Sequence, residues 1–195
     1  MDLILNADYQ IFHWINSAWS NPVFDVVLKW MRNEWIWFPL YLYIIAFFIY
    51  NYGKNAYWLI LFCFLTFGTS DSVSSQLIKK TVKRERPCRN SAVEHPVVRI
   101  RCGSGYSFTS SHATNHFAIA VFLSLTMGGV FRKIRIPLIL WALVIGISQI
   151  YVGVHFPLDV ACGSIIGIAI GWLWAKVFMN YYGKILQPDE AYVLA

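Results

Sequence analysis

The chain has 195 residues, 57% of them hydrophobic and 13% charged, with a formal net charge of +6. A composition this apolar excludes an ordinary water-soluble domain, and the length fits one helical bundle with no second soluble unit. The sequence therefore predicts an all-α, polytopic membrane bundle of about five transmembrane helices plus an amino-terminal interfacial helix, as a single domain.

Taken in chain order, Met1 to Gln10 carry Asp2 and Asp8 and no basic region, so a cleavable signal peptide is not expected. The segment Ile4–Trp19 reads as an amphipathic helix lying in the membrane interface. Asn21-Pro22 breaks it, and Val23–Met31 reads as a short second helix, so that 1–32 is interfacial and 33–195 is the transmembrane core. Five apolar blocks follow: Glu34–Tyr50, Ala56–Ile78, Ala113–Phe131, Ile136–Val154 and Val160–Tyr182. Each is near the ~20 residues that span a bilayer. Trp35 and Trp37 open the first block, and Tyr50 and Tyr52 close it. About fifteen helical residues between them rise ~22 Å, close to the separation of two interfacial aromatic belts. A soluble helical core protein would need polar faces that these blocks lack.

With five spans, the loops Asn51–Asn55 and Arg132–Arg135 and the carboxyl terminus share one side. Arg132, Lys133 and Arg135 place that side in the cytoplasm by the positive-inside rule. The basic loop 79–112 then faces outward; its cations are discounted as topology signals because a phosphate-binding role accounts for them. Cys63 and Cys162 lie in apolar blocks as small buried hydrophobes. Cys88 and Cys102 stand in the long loop, either as two free thiols or, in an oxidising compartment, as a disulfide worth ~3 kcal/mol in the chain-entropy model.

Three polar clusters interrupt this apolar chain. Lys79 ends the second block, and Arg86 follows on a loop made extended by Pro87. A lysine point charge and an arginine fork can approach one phosphate from different directions. Thr109-Ser110-Ser111-His112 then opens the third block, where Ser110 or Ser111 can cap a helix whose free N–H groups form an anion site. Ser148-Gln149 precedes His155, and Asp159 follows His155 by four residues, so that the carboxylate can hold one imidazole nitrogen and leave the other as a nucleophile. Each cluster alone has an ordinary explanation, as a snorkelling cation or a helix cap. The helical topology brings all three to one membrane face.

In these motifs the chain resembles the type 2 phosphatidic acid phosphatase family, which shares its core with vanadium haloperoxidases and glucose-6-phosphatase. The resemblance runs from about Lys79 to Asp159. It implies His155 as the nucleophile that forms a phosphohistidine, Asp159 as its orienting partner, and His112 as the acid that protonates the leaving oxygen. Lys79, Arg86 and Ser110, with the backbone N–H of Ser111, resemble the phosphate cradle. No metal and no cofactor are implied, because the cations stabilise the transferring group. Two departures stand out. Thr109 and Ser111 replace the family's proline and glycine, and Gln149 replaces its arginine. Arg84, Arg89, Arg99 or Arg101 is expected to move into the gap left at Gln149.

The remaining candidates carry less. His112 and His116 have a zinc-like spacing but no evident third ligand. Asp71 shares a helical face with Ser75 and Lys79, which reads as a structural polar track. His13 and His95 have no constellation around them. Gly163, Gly167 and Gly171 suggest close helix packing, with dimerisation the lesser option.

The expected function is a metal-independent lipid-phosphate phosphatase of the inner membrane, its site facing the periplasm. The expected partner is a membrane lipid phosphate such as undecaprenyl diphosphate, phosphatidylglycerol phosphate, phosphatidic acid or lipid A. No nucleic acid is expected, and the protein is expected as a monomer or weak homodimer. The rivals are a lipid phosphotransferase and a non-catalytic lipid-phosphate binder or transporter.

Overall fold

The computed structural model describes residues 2–186; the carboxyl terminus placed above on the cytoplasmic side lies outside the described residues. Among these the regular structure is helical, without strands, and a long loop runs between α5 and α6. The helices are α1 (Asp2–His13), α2 (Pro22–Met31), α3 (Glu34–Tyr52), α4 (Ala56–Asp71), α5 (Lys79–Val82), α6 (Ser111–Thr126), α7 (Arg135–Tyr151) and α8 (Pro157–Tyr182). Among the described residues, three helical stretches are long and apolar enough to cross a membrane: Glu34–Arg89, Arg132–Tyr151 and Pro157–Leu186. The first contains two of the predicted blocks, read through a tight turn at Gly53–Asn55. Many of its large side chains face outward, including Tyr43, Tyr50 and Phe64, as expected of helices that contact lipid.

The core is built around α6. Ten of its sixteen residues are buried, from Ala113 to Thr126. Against it lies α8, whose glycine stripe lets the two backbones meet. A Cβ at Gly163 would stand 2.9 Å from the Ser110 carbonyl oxygen, and one at Gly167 or Gly171 would collide with the carbonyls of Thr114 and Ala118. The stripe is thus consumed by helix packing inside the chain. At one end, Phe62, Phe122, Phe178 and Leu59 close the apolar core. At the other, Phe12, Tyr151, Val154 and Phe156 seal the layer beneath the polar loops.

Between α4 and α5 the helix passes through a π-helical stretch, Ser72–Ile78, a widening frequently found at functional sites. It turns Ser74 and Ser75 toward the start of α6, where both hydroxyls meet the Ser111 hydroxyl at 3.0 and 2.9 Å. Asp71 accepts from Ser75 and Asn115, each at 3.1 Å. The expected polar track is therefore present from Asp71 to Ser75, but it turns into α6 rather than continuing by hydrogen bonds to Lys79. Helix α5 then stops at Lys83, a left-handed residue (φ +53°) that sends the chain into the long loop.

Two tethers hold that loop. The amide of Asn16, fully buried, donates to the carbonyls of Val97 and Tyr151 at 2.8 Å each and accepts from the Val97 N–H at 2.8 Å. Arg99 donates to the Asn16 and Tyr151 carbonyls at 2.9 and 2.7 Å and pairs with Asp25. A Cys88–Cys102 disulfide, with Cα atoms 6.1 Å apart, closes the loop upon itself.

Candidate active site

The third cluster is assembled by the turn from α7 to α8. The Gln149 carbonyl accepts from the N–H groups of Val154 and His155 at 3.2 and 3.3 Å. Gly153 carries the reversal at φ +86°, where a Cβ would also lie 2.8 Å from the Val97 carbonyl oxygen, so glycine is required twice over. Pro157 starts α8 in its first turn. Asp159 then reaches back to accept from the Phe156 N–H at 2.8 Å, satisfying an otherwise orphaned helix donor.

His155 is buried between these pieces. Its Nδ1 lies 3.6 Å from Asp159 Oδ2 and 3.4 Å from the Ser107 hydroxyl. Its Nε2 lies 3.4 Å from Nη1 of Arg86. The ring is thus held from one side and presents its other nitrogen to a cation-lined space. Burial drives the His155 imidazole from its ordinary 6.5 to about 4, against the opposing pull of the Asp159 carboxylate. It is neutral at pH 7 and so has a free lone pair.

Asp159 is itself fully committed. Its Oδ1 accepts from Arg84 at 2.7 Å, and its Oδ2 accepts from the Ser107 hydroxyl as well as from Phe156. Arg84 also pairs with Asp8 at 2.5 Å and lies 4.0 Å over the Phe156 ring. Asp8 in turn accepts from the Leu158 N–H at 2.8 Å. The first helix therefore clamps the start of α8 through a buried polar bridge; it is not simply an amphipathic segment laid along an interface.

Lys79 and Arg86 bring positive charge to the same space. The charge of Lys79 acts on both His112 and His155, and Arg86 is fixed by a 2.9 Å bond to the Gly105 carbonyl. Ser110 caps α6, its hydroxyl accepting from the Ala113 N–H at 3.4 Å, while its own N–H donates to the Asp159 carbonyl at 3.0 Å. The α6 amino terminus and the α8 amino terminus are thereby locked together. Ser111 turns its hydroxyl to Ser74 and Ser75, so only its backbone N–H is available to the cradle. His112, next in the first turn of α6, borders a pocket of about 380 Å³ that it shares with Lys29 and Arg32.

Gln149 is fully buried, and neither end of its amide has a partner among the described residues. The arginines expected to replace its charge do not do so. Arg84 bridges two carboxylates, and Arg99 is spent on the loop tether. Arg89 donates to the carbonyls of Ser104 and Gly105 at 3.2 and 2.7 Å, and Arg101 is exposed. The zinc alternative finds no support in the geometry: His116 Nδ1 is 2.7 Å from the His112 carbonyl in its own helix. No group of three or more potential metal-binding His, Cys, Asp or Glu side chains occurs among the described residues. Sequence reasoning passed over Ser107, Asp8 and Arg32. Only Ser107, inside the polar run before α6, carried any local signal.

A buried His–Asp pair thus faces two cations and a helix amino terminus at one end of the helical bundle. Residues 56–182 match the PAP2 superfamily, and the chain belongs to that family. It is 30% identical to the lipid A 4'-phosphatase of Bacteroides thetaiotaomicron over 97% of this chain and 84% of that protein. It is 32% identical to the undecaprenyl-diphosphatase BcrC of Bacillus subtilis, over 72% of this chain and 75% of that one. Two crystal structures are similar. Aquifex aeolicus LpxE aligns at TM-score 0.64 and 30% identity, over 86% of this chain and 93% of its own. A transmembrane PAP2-type phosphatidylglycerolphosphate phosphatase from Bacillus subtilis aligns at TM-score 0.71 and 25% identity, over 93% and 89%. The apolar helices and these relatives make the chain a membrane protein of bacterial type.

Proposed function

We propose that this protein is a membrane lipid-phosphate phosphatase working through a phosphohistidine. The observation that carries the reading is the placement of His155, with Nδ1 against Asp159 and Nε2 toward Arg86. Nε2 attacks phosphorus while the bond to the leaving oxygen breaks, and His112 delivers the proton that oxygen needs. Water then attacks the phosphohistidine, giving its proton to His112, and inorganic phosphate leaves. Lys79, Arg86, the Ser110 hydroxyl and the Ser111 N–H hold the non-bridging oxygens throughout. Asp159 keeps the His155 ring in the required tautomer, and Ser107 and Arg84 keep Asp159 in place.

Metal independence belongs to the proposal, since the protein's own cations supply the charge. So do five spans, counting α3, α4, α6, α7 and α8, within a single domain in the inner membrane. The site faces the periplasm, on the side opposite Arg132 and Arg135. A disulfide-bearing loop favours that oxidising side. The lipid A 4'-phosphatase relative covers nearly the whole chain, so a glycolipid phosphate is the first substrate to test.

The test is phosphate release from lipid A, phosphatidylglycerol phosphate, phosphatidic acid and undecaprenyl diphosphate, with and without a chelator. Wild type should release phosphate from at least one in chelator, and His155→Ala should release none. Absent or equal release from both proteins favours a lipid-phosphate binder, a reading motivated by the uncharged Gln149. Transfer of phosphate to an added second lipid would instead identify a phosphotransferase.

A further inference from the structure

We infer that Arg32, at the junction of α2 and α3, binds the substrate phosphate and supplies the positive charge missing at Gln149. The inference rests on the phosphatase reading for the identity of the anion, and it adds a residue outside the three motifs.

Five observations lead to it. Arg32 and His112 line the same pocket, with the exposed Lys29 beside them. The Arg32 Nε is buried without a hydrogen-bond partner among the described residues, which is costly for a guanidinium donor unless a ligand meets it. The charge of Arg32 bears on both His112 and Arg86. Arg84, Arg89 and Arg99 each serve another contact. Glu34 lines the same pocket and opposes the charge of Arg32, which limits the cost of holding that cation in a half-buried place. An arginine fork so placed can take two oxygens of one phosphate.

A cation delivered from the amino-terminal helices has a further consequence. Lys29 and Arg32 belong to a segment whose large side chains Val23, Val26 and Trp30 are exposed. The phosphate would then be gripped between the transmembrane core and an element with exposed apolar side chains.

The test uses the full chain in detergent and inorganic phosphate as the probe. Binding is measured calorimetrically in the His155→Ala background, where no phosphoenzyme forms, so the readout stands apart from turnover. Arg32→Ala in that background should weaken phosphate binding about 10- to 100-fold, the range of a charge-assisted bond, and Arg32→Lys should recover part of it. In the otherwise wild-type protein, Arg32→Ala should lower kcat/KM for a lipid phosphate by a similar factor and raise the concentration of phosphate needed for product inhibition. Unchanged binding in Arg32→Ala, or no phosphate binding to the parent protein, overturns the inference. Failure of the phosphatase reading looks different: the parent binds phosphate with Arg32 dependence while wild type releases none from any lipid.

Discussion

Replacing Arg84 with methionine removes the guanidinium shared by Asp8 and Asp159, both of whose side chains are fully shielded from solvent. Breaking a buried ion pair by deleting one partner costs about 3–5 kcal/mol, because the charge left behind has lost both water and counter-ion. For a chain of this size that amounts to a drop in melting temperature of about 6–20 °C. The loss should depend on pH. Burial already pushes the Asp8 carboxyl above its ordinary 3.8 despite Arg84, and without the cation it rises further. The variant should therefore be less impaired at pH 5, where Asp8 can take a proton, than at pH 8. Asp8→Asn added to Arg84→Met should recover part of the stability, since it removes one uncompensated charge. Turnover should remain low in both variants, because Asp159 no longer holds His155, and a misplacement near 1 Å can cost about 10²-fold. The assay is thermal unfolding by intrinsic fluorescence, with kcat measured on the same samples. If Asp8→Asn simply adds its own cost to that of Arg84→Met, or if Arg84→Met turns over normally, the bridge does not work as described.

Other consequences are simpler to check. Gly167→Ala sets a methyl against the Thr114 carbonyl of α6 and should destabilise by about 1–3 kcal/mol or more; Gly68→Ala, which meets nothing within 4 Å, is the control in the same melting experiment. Reduction of Cys88–Cys102, fourteen residues apart, should lower stability by about 3 kcal/mol and be visible as a lower melting temperature in reductant. His155 sets an acid limit. Its folded value of about 4 lies below the ordinary 6.5, so the unfolded state binds more protons between those values. Stability from this residue is complete above pH 6.5 and is lost as pH falls toward 4, by about 3 kcal/mol in total. The kcat/KM profile should fall on the same acid side, through about pH 4.

Much of the frame was legible in the residues because local patterns carry it. Apolar runs became helices with nearly the anticipated bounds, such as Ile136–Val154 against Arg135–Tyr151. His155 and Asp159 lie four apart, so their meeting is a short-range event. The supporting contacts are of another kind. Arg84 reaches Asp8 and Asp159 across 76 and 75 residues, and no local periodicity reports such a pairing. For the same reason Asp8 read only as an acidic residue where a signal peptide would be basic. Arg32 read as nothing at all, because its significance depends on the fold bringing the α2–α3 junction to the pocket that His112 borders. The π-helical widening at Ser72–Ile78 also had no signature, and it is what diverts the Asp71 track into Ser111.

In the proposed reaction phosphorus passes through His155. This is tested most directly by mixing enzyme with a ³²P-labelled lipid phosphate, quenching rapidly in alkali, and locating the label. The expected result is an acid-labile, alkali-stable phosphoprotein that appears before free phosphate, maps to His155, and is absent from His155→Ala. Continued phosphate release by His155→Ala, or label on another residue, would contradict it.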